Sequence, residues 1–263
     1  MKAAMVILVA ATALSLGVVP AHAERAPRSF TMNECIDTVM PRSGWTTLVR
    51  PAVPERYGLV PLTPAGQPPG SAALFFIYDQ YCENVTVHGQ RSVPTTTIYV
   101  IAQVTSIDGQ PVPAPRFYAV YIGTNNPQLF ALFRGAGLPV DFLRTNSTTV
   151  AQLSATSTQV VYNIDSDEFG NSFTVVSSPP QGNVVDTGAT WLYDTKRGTC
   201  AITWTSDSSA NAPAFTSGTH FGSTLSSWLV TPLTITNVRF PFAYRTGDHV
   251  VTVACDVGDV GRP

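Results

Sequence analysis

Residues 95–122 read TTTIYVIAQVTSIDGQPVPAPRFYAVYI, and this stretch decides for strands. Thr96, Ile98, Val100 and Ala102 fall on one side of an extended chain, within an unbroken run of β-formers. Ser106-Ile107-Asp108-Gly109 signals a turn, and Asp108-Gly109 suits a tight hairpin because such turns need positive φ. Residues 117–122 then supply the returning strand. Upstream, residues 72–78 (AALFFIY) form a further strong strand that can continue to Val87. Working outward in both directions, the chain keeps this character.

Residues 35–49 fit either a first helix or a first strand. Pro51, Pro54, Pro61, Pro64, Pro68 and Pro69 remove so many backbone donors that residues 51–69 read as an irregular lead-in rather than a central strand. Asn126-Pro127 opens the best helix candidate, since an Asn cap satisfies an orphan donor and proline presets φ at the first helical position. Leu129, Phe130, Leu132 and Phe133 give that helix an apolar face, and Gly135-Ala136-Gly137 ends it. Strands are expected at 158–164, 172–176, 190–193, 199–205, 233–242 and 250–254, with 207–218 as a polar loop. No repeat, heptad or composition break marks a linker. The expected fold is mainly β: an antiparallel barrel-like or double-sheet β fold with one or two short covering helices.

Residues 1–23 read as a secretory signal peptide. Lys2 precedes an apolar run from Ala3 to Val19, followed by Pro20 and the small-residue site Ala21-His22-Ala23. The mature chain is thus expected to be a single domain over residues 24–263, secreted to an extracellular or periplasmic location, with no membrane segment after cleavage. All four cysteines, Cys35, Cys82, Cys200 and Cys255, lie beyond residue 23, and an even count in an exported chain reads as two disulfides. Three pairings are possible, and the sequence does not choose among them; pairing within each half, Cys35 with Cys82 and Cys200 with Cys255, is the simplest expectation. Only 12% of residues are charged and the net charge is −2, so nothing points to nucleic acid as a partner.

Few residues carry an obvious chemical signature. His88, His220 and His249 sit in no metal-binding pattern, so no metal and no cofactor are expected, and a lone histidine here reads as a surface polar residue. No G-x-S-x-G elbow, GxGxxG or phosphate loop is present. The sequons Asn84-Val85-Thr86 and Asn146-Ser147-Thr148 would be used only in a eukaryotic secretory path. Glu83 draws attention because it lies in a strongly apolar strand region, where a carboxylate facing a pocket would acquire a shifted pKa. Solvent exposure is its plainer alternative. A buried Glu83 needs a cationic partner, and Arg116, Arg134 and Arg144 are the candidates around the following strand and helix.

Val53-Pro54-Glu55-Arg56-Tyr57-Gly58, the strand 72–78, Tyr81-Cys82-Glu83, the strand pair, the helix 127–134 and Gly137-Leu138-Pro139 follow one another in an order that resembles the acetoacetate decarboxylase superfamily. The resemblance covers about a third of the chain and implies that family's β-rich, barrel-like fold, with Glu83 at the position of an active-site carboxylate. It also implies a Schiff-base lysine just after the G-[FLY]-P turn. Here that turn is followed by Val140-Asp141-Phe142, and the one lysine beyond residue 23 is Lys196.

Together these readings give a secreted β-rich protein whose cavity binds a small, partly apolar carbonyl or carboxylate ligand without Schiff-base catalysis. Glu83, Arg116 and Arg134 are the candidate ligand-binding residues, and a small molecule is the expected partner. A lyase or hydratase using Glu83 as general acid/base, and a non-catalytic surface or structural protein, are the two alternatives.

Overall fold

The computed structural model describes residues 27–143, 145–154, 157–166, 169–196, 198–221, 223–230 and 243–255. The expected signal peptide, Arg144 and the strand expected at 233–242 lie outside them. The described residues begin with β1 (Arg28–Trp45), a short helix α1 (Thr46–Val49), and the small strands β2 (Tyr57–Leu59) and β3 (Pro61–Leu62) within the proline-rich lead-in. Next come β4 (Ala72–Val87), β5 (Gln90–Ser92), β6 (Thr95–Ile107), β7 (Gln110–Thr124), the helix α2 (Pro127–Ala136) and β8 (Val140–Phe142). The rest comprises β9 (Thr145–Ser154), β10 (Ser157–Asp165), β11 (Asn171–Thr195), β12 (Gly198–Phe221), the helix α3 (Ser223–Trp228) and β13 (Ala243–Cys255).

The strands form one sheet in the order β8-β7-β6-β4-β1-β13-β12-β11-β10-β9. Nearly all pairings are antiparallel, as expected. A short parallel pairing of β7 with β11, Arg116 to Tyr118 against Thr190 to Leu192, joins the path back on itself. Seven strands therefore make a closed circuit of neighbours. Tyr78 of β4 meets Trp191 of β11 and Trp204 of β12 at ring-centroid distances of 5.9 and 6.1 Å, although neither β11 nor β12 adjoins β4. Side chains of that side meet across the circuit, and α2 joins their cluster through Leu129, Leu132 and Phe133. The opposite side of β4 and β6, with Phe75, Ile77, Ile98 and Val100, packs under β10, α3 and the lead-in. Burial on both sides explains why residues 72–80 are continuously apolar or shielded rather than alternating.

The Asp108-Gly109 hairpin forms as read: Ile107 faces Gln110, and φ is 49° and 78° at the two turn residues. In α2, the Asn126 side chain accepts from the Gln128 and Leu129 amides, Pro127 occupies the first turn, and Gly137 closes the helix at φ 85°. Cys35 bonds Cys82 and Cys200 bonds Cys255, each pair directly opposed on neighbouring strands. Loops of 47 and 55 residues closed in this way stabilise by about 4 kcal/mol each on the chain-entropy account.

One expectation is corrected. Residues 207–218 are not a loop but part of β12, paired in register with β11 at Val185 with Asp207 and Pro180 with Asn211. Ser, Ala and Asn there carry no apolar alternation, so pattern reading finds no strand. Backbone amides need only a partner strand, and β11 provides one as a single strand where two were expected at 172–176 and 190–193.

Candidate functional site

After Gly137 the chain turns through Leu138-Pro139 and enters β8, which runs parallel to the end of β7. The Ile122 amide donates to the Pro139 carbonyl at 2.9 Å, and the Leu143 amide to the Thr124 carbonyl at 2.9 Å, fixing the turn against the sheet. Between α2, this turn and β7 lies a cleft of about 680 Å³, lined by Val120, Tyr121, Phe130, Arg134, Leu138, Pro139, Val140, Asp141, Phe142 and Phe169. Helical spacing accounts for the α2 contribution: Leu129, Leu132 and Phe133 point to the core, which leaves Phe130 and Arg134 together on the cleft side.

The cleft walls are aromatic. Tyr121 and Phe169 have ring centroids 4.5 Å apart, and Phe130 meets Phe142 edge to face at 5.7 Å. Ser166 braces the first pair: its hydroxyl donates to the Phe169 carbonyl at 2.8 Å and accepts from the Phe169 amide and the Tyr121 hydroxyl at 3.0 and 2.9 Å. The guanidinium carbon of Arg134 stands 5.6 Å from the Phe130 ring centre. Among the described residues no carboxylate lies within ion-pair distance of Arg134. Asp141 is the cleft's acidic residue.

Of the candidate ligand-binding residues Glu83, Arg116 and Arg134, Arg134 lies in this cleft and the other two do not. Arg116 is half-buried on β7 between Val104 and Thr190 and is not on the cleft wall. Glu83 is exposed, its carboxylate accepting from the Tyr81 hydroxyl at 2.9 Å. The expectation of an interior-facing Glu83 is thus corrected: beyond residue 80 one side of β4 runs out from under its covering layer, so Tyr81 is half-buried and Glu83 meets solvent. Val140, which stands where the resemblance would put the lysine, lines the cleft. Lys196 is exposed in the β11–β12 turn. That turn packs beside the cleft's helix end, for a β-carbon added to Gly137 would stand 3.3 Å from Thr195 Cγ2.

Sequence reading missed two buried polar groups. Between the adjacent strands β13 and β1, His249 Nε2 lies 2.8 Å from Asp37 Oδ2, and Gln80 of β4 donates to Asp37 Oδ1 at 2.9 Å. Burial works to raise the Asp37 carboxyl, but the charge of His249 with hydrogen bonds from His249, Tyr78 and Gln80 holds it below the ordinary value. On the other side of β4, Asn171 donates to Asp79 Oδ2 at 2.5 Å. There burial outweighs Asn171 and the charge of Arg42 and pushes the Asp79 carboxyl well above its ordinary range. His249, expected at the surface, is 3% exposed. The available signal was Asp79-Gln80 in the middle of the most apolar strand, where polar residues survive only with partners. Among the described residues no cluster of three or more His, Cys, Asp or Glu side chains could hold a metal ion, and no helix is long and apolar enough to cross a membrane.

No protein-family model and no curated protein sequence matches the chain. Solved structures do. An acetoacetate decarboxylase superposes with a TM-score of 0.52 at 10% identity, over 86% of this chain and 87% of that one. The acetoacetate decarboxylase of Legionella pneumophila subsp. pneumophila str. Philadelphia 1 gives 0.49 at 7% identity, over 86% and 85%. The enduracididine biosynthesis enzyme MppR, complexed with pyruvate, gives 0.48 at 8% identity, over 90% and 91%. The chain thus has an acetoacetate-decarboxylase-like fold, and at these identities the likeness concerns the fold alone.

Proposed function

We propose that the protein is exported, loses residues 1–23, and works as one β-rich domain whose cleft beside α2 binds a small, partly apolar carbonyl or carboxylate ligand without covalent catalysis. One observation carries this reading: the Arg134 guanidinium, with no carboxylate partner among the described residues, stands over an aromatic wall inside a cleft of ligand-binding size. A guanidinium in that position offers a carboxylate a forked, charge-assisted contact. Two disulfides suit an oxidising compartment and support export.

Imine formation needs an amine shielded from water or set beside another cation. Val140 has none to offer, and Lys196 is exposed. Borohydride treatment with acetoacetate should therefore leave the intact mass unchanged; a stoichiometric adduct on Lys196 would restore the covalent mechanism. For binding, calorimetry on the mature protein with pyruvate and butanoate should show Arg134→Gln weakening each by at least about tenfold, the scale of one lost charge-assisted hydrogen bond. Equal affinities in the variant and the parent would remove Arg134 from the site.

A further inference from the structure

A three- or four-carbon acid on Arg134 would leave most of the cleft unused. The volume of about 680 Å³ falls in the range that encloses much larger ligands. Four rings surround it, and they are arranged unevenly. The Tyr121–Phe169 wall is braced by the three hydrogen bonds at Ser166, so it is rigid before anything binds. Phe142, also in the lining, is 43% exposed, so apolar ring surface remains for a ligand to cover. Phe130 and Phe142 stand at 83° to each other, a corner whose ring face and edges can accept a third ring edge to face.

Resting on the binding role proposed above, we infer that the ligand is an aryl monocarboxylate: a carboxylate held by Arg134 and a flat aromatic group lodged between the Phe130–Phe142 corner and the Tyr121–Phe169 wall. Arg134 already shares the face of Phe130, so the charged and apolar halves of the site touch, and the ligand must carry its acid within a few bonds of its ring. Asp141 limits the charge. A second carboxylate on the ligand would share the cleft with this acidic residue, which disfavours dianions.

Calorimetric titration of the mature protein at pH 7 with phenylacetate, 3-phenylpropanoate, phenylsuccinate, phenylacetamide, pyruvate and butanoate tests this. The aryl monocarboxylates should bind at least tenfold more tightly than pyruvate or butanoate. Phenylacetamide and phenylsuccinate should each lose tenfold or more against phenylacetate. Phe142→Ala, at a site 43% exposed, should weaken the aryl acids several-fold more than it weakens the short acids. Equal affinity for short and aryl acids, or no effect of Phe142→Ala, overturns the aryl assignment while the cleft's binding role stands, provided Arg134→Gln still weakens every acid. If no acid binds, or Arg134→Gln changes nothing, both fall together.

Discussion

Asp37 and Asp79 are both fully buried, and their surroundings drive them in opposite directions. Asp37, whose folded pKa is depressed, contributes stability that is complete above its unfolded value near 3.9 and lost as pH falls through the folded value. Asp79, whose folded pKa is raised, has the reverse sign: its contribution is complete below about 3.9 and lost as pH climbs through the raised value. Urea unfolding between pH 3 and 8 separates the two. Asp37→Asn leaves His249 without its buried anion and should cost about 3 kcal/mol at pH 7, with a smaller loss at pH 3. Asp79→Asn keeps the shape of the side chain and should flatten the decline toward pH 8; a larger loss at pH 8 than at pH 4 would contradict the assignment. The residue scale was only partly legible. The four cysteines stood out by type; Arg134 entered only as a partner for Glu83, and Glu83 was chosen because a strand pattern does not say where a covering layer ends. Asp37 and His249 are more than two hundred residues apart, and nothing local joins them.

Elements with local punctuation were the most readable, and α2 is the clearest case. Asn126 is fully buried and uses its whole amide: Oδ1 accepts from the Gln128 and Leu129 amides at 2.9 and 3.1 Å, and Nδ2 donates to Ser92 and Thr95 hydroxyls at 2.6 and 2.8 Å. Asn126→Ala forfeits the cap and the bonds its Nδ2 donates to two hydroxyls, which keep their own bonds to the Val85 and Val93 carbonyls, so chemical denaturation should show a loss of about 2 kcal/mol. At the other end, Gly137→Ala meets two penalties, positive φ and the approach of Thr195, worth about 1 kcal/mol or more. The Gly137 amide caps the Arg134 carbonyl at 3.0 Å, so this variant should also weaken ligand binding at the cleft. Unchanged affinity with reduced stability would show that the cap holds the helix without aiming Arg134. The contrast is β12: Asp207, Asn211, Pro213 and Gly218 make its second half read as a loop without apolar periodicity, and its strand character comes from pairing with β11, which no local window contains.

At the scale of the molecule, the closing of the strand circuit depends on a seam of three residue pairs between β7 and β11, a parallel contact between segments some seventy residues apart. Strand composition predicts a β fold but not this closure, because parallel pairing leaves no hairpin turn to read. The seam is reinforced from outside by the lead-in. Arg56 donates to both oxygens of Asp194 at 3.0 Å, Tyr57 donates its hydroxyl to Asp194 at 2.7 Å, and Thr199 does so at 3.0 Å. Tyr57 also stacks near Tyr118 at 4.9 Å, and Tyr118 is one of the seam residues. One carboxylate at the end of β11 therefore ties the lead-in to both sides of the join. Burial and Asp194 push the Tyr57 hydroxyl up to about 12, so this bond persists well into alkaline solution. Asp194→Ala removes the carboxylate shared by Arg56 and Tyr57, leaving Arg56 its contacts with the Tyr57 and Thr199 hydroxyls and Asp108, and should cost about 2 kcal/mol, since the group is only partly buried. Asp194→Asn keeps one acceptor for Tyr57 and should lose less. The location of the loss is the sharper test: hydrogen exchange should accelerate at 116–118 and 190–192 in the alanine variant while β1, β4 and β13 keep the parent's protection. Uniform acceleration through the sheet would mean that Asp194 supports global stability rather than the seam.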